Sequence, residues 1–111
     1  MERVKERERE FRKGDWGVKY LFRGPRIDWG IILLKPGTEL GRHLHKQVEE
    51  TFYFLHGKGK IRVGEEEFSA GEGDAFRIDP GEPHNIYNDS PGELKIIFIK
   101  TPYLPEDKVS L

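Results

Sequence analysis

Gly37-Thr-Glu-Leu-Gly-Arg-His43-Leu-His45-Lys-Gln-Val-Glu49-Glu50-Thr-Phe-Tyr-Phe-Leu-His56-Gly57 is the stretch in which this chain concentrates its chemistry. His43 and His45 stand two apart, and a carboxylate follows within a few positions. On a β-strand, residues i and i+2 point to the same face, with Cα atoms roughly 6–7 Å apart. Two imidazoles so placed can converge on one ion at ~2.0–2.1 Å from nitrogen, and a carboxylate on that side adds an oxygen ligand. The pattern points to a metal site. For the pair taken alone, solvent-facing strand histidines are the plain alternative. Glu49 and Glu50 compete for the carboxylate role, because neighbours on a strand face opposite ways. Apolar alternation leaves that choice open, since Phe52 and Phe54 on one parity and Tyr53 and Leu55 on the other are all apolar.

Working outward, the period-two pattern recurs. Trp16, Val18, Tyr20 and Phe22 alternate with Gly17, Lys19 and Leu21, which predicts a half-buried strand ended by Gly24-Pro25. Residues 27–34 are apolar enough to be covered on both faces, and Lys35-Pro36-Gly37 then turns the chain. Further strands are predicted over 50–55, 59–63, 66–69, 74–78, 84–88 and 93–100. With 13 glycines and 7 prolines spread at short intervals, no long helix fits between residues 14 and 104. The fold class is all-β, a sandwich or barrel. In the second half, the turn Asp79-Pro80-Gly81-Glu82-Pro83 delivers His84 to the start of a new strand, as suits a rigidly placed ligand at a barrel mouth.

Residues 1–13 carry ten charged side chains and form an N-terminal arm ahead of one domain over 14–111, which closes in a C-terminal tail. A solvated, frayed arm is the expected reading. The other is a helix packed on a partner subunit through Val4 and Phe11. Hydrophobic and charged residues each make up 35% of the chain and the net charge is −1, so no basic footprint for nucleic acid exists. Cysteine is absent, which removes disulfides and thiolate ligands and leaves histidine and carboxylate to carry any metal. No apolar run approaches the ~20 residues that span a bilayer, and the N-terminus is not signal-like. No membrane partner and a cytoplasmic location are therefore expected.

Taken together, the two stretches resemble the paired motifs of the cupin superfamily. The first motif is Gly, five residues, His-x-His, three or four residues, Glu, six residues, Gly, and it matches at Gly37, His43, His45, Glu50 and Gly57. The second is Gly, five residues, Pro-x-Gly, two residues, His, three residues, Asn. It matches at Gly73, Gly81, His84 and Asn88, with Asp79 where the first proline usually falls. The short stretch 58–72 between them is similar to that of small single-domain members called mannose-6-phosphate-isomerase-like. The resemblance covers about residues 14–104. It implies a double-stranded β-helix, a jelly-roll barrel, in which His43, His45, Glu50 and His84 bind one divalent metal. Its spacing selects Glu50 over Glu49. Three nitrogens and one oxygen leave open positions for water or substrate, and the donor set suits Mn, Fe, Ni, Zn or Cu without choosing among them.

Several residues compete for further roles. His56 shares parity with Glu50, but six residues of extended strand place it ~20 Å away, so it reads as a strand-end histidine. Asn88 reads as the start of the Asn88-Asp-Ser90-Pro-Gly turn rather than as support for a ligand. Arg42, Arg77 and Tyr87 are candidates to meet an anionic ligand, and Glu49 and Tyr87 are weak acid–base candidates. The implied function is that of a metalloenzyme acting on a small oxygen-rich molecule: a sugar, hydroxy or keto acid, diketone or phenol. Isomerase, dioxygenase, decarboxylase and lyase chemistry all remain open. A non-catalytic metal or metabolite binder is the alternative. The expected partners are a small-molecule ligand and a second copy in a homodimer, joined through an edge strand such as 16–22.

Overall fold

Strand alternation sorts the side chains of this protein into an inside and an outside, and the inside decides where the site lies. The computed structural model covers residues 1–111. Its strands are β1 (Gly17–Arg23), β2 (Asp28–Leu34), β3 (His43–His45), β4 (Glu49–His56), β5 (Lys58–Val63), β6 (Glu66–Gly71), β7 (Ala75–Ile78), β8 (His84–Tyr87), β9 (Leu94–Thr101) and β10 (Lys108–Ser110). They form two five-stranded sheets, β1-β2-β9-β4-β7 and β10-β3-β8-β5-β6, with antiparallel pairing throughout. The sheets face each other as a double-stranded β-helix. The expected all-β class and barrel are therefore what the chain adopts, and every expected strand is present with ends shifted by at most two residues.

The inward faces supply the core. Ile32 and Leu34 of β2, Phe52 and Phe54 of β4, Ile61 of β5, Ile86 of β8 and Leu94, Ile96 and Phe98 of β9 are all within 1% of complete burial. Burying one such side chain stabilises the fold by ~1.5–3 kcal/mol. This packing also resolves the glutamate choice. Phe52 and Phe54 face in, so Glu50 two residues earlier faces in too, at 4% exposure. Tyr53 and Leu55 are exposed on the other parity, and Glu49 lies outside with its carboxylate 3.9 Å from Arg77.

Two glycines show why the motif demands that residue. Gly57 has φ +82°, and a Cβ there would lie 2.1 Å from the carbonyl oxygen of Glu93. Gly81 has φ +85° and donates its N–H to the His45 carbonyl oxygen at 2.7 Å. That bond ties the turn before His84 to the strand that carries His43 and His45.

Both chain ends depart from expectation. The N-terminal arm is docked on its own barrel rather than frayed. Glu6, in a 3₁₀ turn at Glu6–Glu8, reaches Lys19 of β1 at 3.4 Å and Lys95 of β9 at 3.1 Å. Lys19 also lies over the Phe11 ring at 3.9 Å. Charge patterning within residues 1–13 could not show this, because the partners are far away in sequence. The C-terminal segment forms β10, an edge strand paired with β3 through Lys108↔His45 and Ser110↔His43. Just before it, Asp107 Oδ2 accepts the backbone N–H groups of Gln47 at 2.7 Å and Val48 at 2.9 Å.

Desolvation alone would raise the Asp107 pKa, but the Gln47 and Val48 N–H groups outweigh it and hold the carboxyl below its ordinary value. A depressed carboxylate contributes stability above its unfolded pKa of ~3.9 and loses it as pH falls through the folded value. Asp107→Ala should therefore destabilise the protein by about 1–3 kcal/mol at neutral pH. Denaturant melts should show that deficit shrinking once the pH drops below ~4.

Candidate metal centre

Four strand positions bring the predicted side chains together. His43 and His45 come from β3, Glu50 opens the inward face of β4, and His84 opens β8. His43 and His84 are direct partners across the β3–β8 pair. One donor atom from each of the four lies within 4.8 Å of the other three, and all four residues are buried. Asp79, where the family carries a proline, closes its turn through its own N–H to Glu82 Oε1 at 2.8 Å. The departure leaves His84 in place.

Backbone carbonyls aim the imidazoles. His43 Nδ1 is 2.7 Å from the Gly41 carbonyl oxygen, and His84 Nδ1 is 2.9 Å from that of Glu82. A carbonyl only accepts, so both Nδ1 atoms carry hydrogen and both Nε2 atoms present lone pairs when neutral. Those Nε2 atoms, with that of His45, surround a single oxygen, Glu50 Oε1, at 3.9, 3.2 and 3.1 Å for His43, His84 and His45. In the neutral tautomers of His43 and His84, lone pair faces lone pair among buried side chains. A cation at the centre relieves that opposition, and the Nδ1–H bonds are the supports that metal-bound histidines use. The donor set fits a single divalent ion.

The electrostatics agree. Burial is the main influence on His43 and lowers its pKa, over the opposing pull of Glu50 and Gly41, which keeps the imidazole in its ligating form. Burial would raise the Glu50 pKa, but hydrogen bonds from the three imidazoles, in the forms that carry Nε2–H, hold the carboxyl well below the usual range. Glu50 is thus a carboxylate inside the barrel.

A cavity of about 180 Å³ opens onto this cluster and reaches His43, His45 and Glu50. Its remaining wall includes Val18, Tyr20, Ile32, Leu40, Val48 and Phe98, with charge from Arg12, Arg23, Asp28, Lys100 and Lys108. None of the anion-binding candidates read from the sequence lines it. Arg42 is exposed elsewhere, Arg77 lies on the outer face beside Glu49, and Tyr87 hydrogen-bonds Glu67 on the outside. The same positions remove Glu49 and Tyr87 as acid–base groups for this site. His56 is exposed, 3.4 Å from Glu72, away from the cluster. Asn88 is buried at the turn it opens, donating to the Leu34 and Gly92 carbonyl oxygens and accepting from Ser90. Sequence reading missed Asp28 and Lys100. The available signal was a lone carboxylate heading the apolar run 28–34 and a lysine closing the inward parity of Leu94, Ile96 and Phe98.

Comparison with known proteins agrees with this geometry. The cupin domain model matches residues 30–100, well over half of the chain, and the protein belongs to the cupin family. It is 31% identical over 88 residues to an uncharacterised protein of Methanocaldococcus jannaschii, covering 78% of this chain and 70% of that one. It is 29% identical over 96 residues to the mannose-1-phosphate guanylyltransferase RfbM of Salmonella typhimurium, covering 86% of this chain but only 19% of the enzyme. Among solved structures, a Klebsiella pneumoniae protein with a double-stranded β-helix domain superposes with a TM-score of 0.85. That match covers 99% of this chain and 96% of the other at 15% identity, and it speaks to the fold alone.

A divalent cation should raise the melting temperature, because binding to the folded state adds about 2.7 kcal/mol at a concentration 100 times Kd. Thermal melts with Mn, Fe(II), Ni, Zn and Cu should show the effect in the native protein and in Glu49→Ala. They should show none in Glu50→Ala or His84→Ala.

Proposed function

We propose that His43, His45, Glu50 and His84 bind one divalent metal ion, and that the protein is a metalloenzyme acting on a small oxygen-rich molecule in the adjoining cavity. The observation that carries this reading is the contact between cavity and cluster. Three of the four ligand residues line an open space, whereas a purely structural site is closed on all sides. A bound ion there supplies Lewis-acid polarisation of a substrate oxygen, and iron, nickel or copper adds redox chemistry.

The chain's own residues do the rest. Gly41 and Glu82 fix the tautomers of His43 and His84 through their carbonyls. Leu40, Val48, Ile32 and Phe98 give the cavity apolar walls that limit water. Its volume, below the ~300–1,000 Å³ of pockets for drug-sized ligands, suits a small metabolite. The guanylyltransferase match is in keeping with the small, mannose-6-phosphate-isomerase-like subgroup. We take a small molecule, rather than nucleic acid or membrane, as the ligand. No helix is long and apolar enough to cross a membrane, and we place the protein in the cytoplasm on the strength of its charge and lack of cysteine.

We also propose a homodimer. The edge of β1 expected to pair is partly used by the arm, since Arg12 N–H donates to the Val18 carbonyl oxygen at 2.8 Å. The better surface is the outer face of the same sheet. There Trp29, Ile99, Ile97 and Tyr53 adjoin in register across β2, β9 and β4, with Ile99 40% and Tyr53 42% exposed. A neutral apolar patch can meet its own copy across a two-fold axis without like-charge repulsion.

Two measurements test these readings. Incubation with a panel of sugars, hydroxy and keto acids, diketones and phenols should yield a metal-dependent product. His43→Ala and His84→Ala should abolish it, and metal-dependent binding without product from any class would make the protein a binder instead. Light scattering should report a dimer that Ile99→Glu converts to monomer, and a monomeric native protein ends the dimer proposal.

A further inference from the structure

The cavity's charged wall has a composition that the metal ligands do not explain. Four cations, Arg12, Arg23, Lys100 and Lys108, face it, against the two carboxylates Asp28 and Glu50. For three of these groups the register fixes the order. Asp28 of β2 is the direct partner of Lys100 of β9, which is the direct partner of Glu50 of β4. All three face inward, so a row Asp28–Lys100–Glu50 runs across three adjacent strands. At ~4.8 Å per strand, the backbone positions of Asp28 and Glu50 lie about 10 Å apart, with that of Lys100 between them. That is the span of a small metabolite.

Each member of the row has unused capacity. Asp28 is 2% exposed, and its Oδ1 has no hydrogen-bond partner, while Oδ2 lies 3.7 Å from the Arg23 guanidinium. A buried carboxylate oxygen without a donor costs free energy, so a ligand hydroxyl that donates to it is favoured. Lys100 gives one N–H to the Tyr20 hydroxyl at 2.7 Å and keeps two more. Gly30 makes this possible: Tyr20 pairs with it and packs edge-on against Phe98 at 5.2 Å. Lys108, the register partner of His45, lines the same wall as Arg12 and Lys100. Cations are thus crowded around a cavity that holds too little negative charge to balance them.

We infer that the cavity takes a small hydroxylated anion, whose carboxylate or phosphate is held by Lys100 and Lys108 and whose hydroxyl donates to Asp28 Oδ1. This deepens the proposed function and rests on it only for where the reacting end of the ligand lies. The cations would attract an anion without any metal. Neutral sugars, diketones and phenols are excluded as preferred ligands.

Calorimetric titration of metal-loaded and chelator-treated protein tests this with four probes: malate, glycerol phosphate, succinate and glycerol. At least one of malate and glycerol phosphate should bind, glycerol should not, and the tighter of the two identifies the head group. Lys100→Met and Lys108→Met should each weaken that binding about tenfold, with circular dichroism and metal content unchanged. Asp28→Asn should weaken the hydroxylated anion while leaving succinate as in the native protein. The inference is overturned if glycerol binds as well as the anions, if neither hydroxylated anion binds in either metal state, or if both lysine variants bind like the native protein. A protein that takes up no metal yet still shows lysine-dependent anion binding would sink the metal reading and leave this one standing.

Discussion

Three imidazole nitrogens facing one carboxylate oxygen among buried side chains is the constraint on which the rest of this structure depends. The barrel cannot relax it, because the Nδ1–H groups of His43 and His84 are held by carbonyls two residues ahead of them and Glu50 is held by the parity of Phe52 and Phe54. Polar groups so placed are costly when lone pair meets lone pair and favourable once a cation lies between them. The fold spends part of its packing energy to hold an arrangement that fits a single cation. Sites that do this trade stability for function.

The two sheets divide the labour. Sheet β10-β3-β8-β5-β6 contributes all three histidines, and sheet β1-β2-β9-β4-β7 contributes Glu50, Lys100 and Asp28. The site therefore exists only where the sheets face each other. Its precision is inherited from the apolar core that joins them. Several ties act locally on β3: the Gly81 N–H to the His45 carbonyl, the pairing with β10, and the Asp107 carboxylate that caps the turn after His45. A three-residue strand needs such support, because its own ladder bonds are few.

Legibility followed the range of the forces involved. The strands were readable because turns and period-two alternation are local, and the four clustered residues were readable because motif spacing encodes their convergence. Short-range pattern could not choose between Glu49 and Glu50, since the strand is apolar on both parities; burial of Phe52 and Phe54 against the facing sheet made the choice. Asp28 and Lys100 were invisible for a related reason. Each is one polar residue at the end of an apolar strand, and only the register across β2, β9 and β4 sets them beside Glu50. The docked arm depends on Glu6 meeting Lys19 and Lys95, the second of these 89 positions away, a contact that no window of sequence contains.

The clustered residues and the cavity's charges are placed by different parts of the barrel. The residues that aim at the ion lie inside the portion shared with the family, on strands whose parity is set by the core. Most of the charges that face the rest of the cavity come from the arm, from the edge strands β1 and β10, and from the start of β2. Edge and terminal segments contribute little to the core, so their side chains can change at small cost in stability, whereas a change at Glu50 or His84 disturbs the centre of the barrel. The four-residue cluster is thus set by the core of the barrel, and most of the cavity's charge by its edges and chain ends.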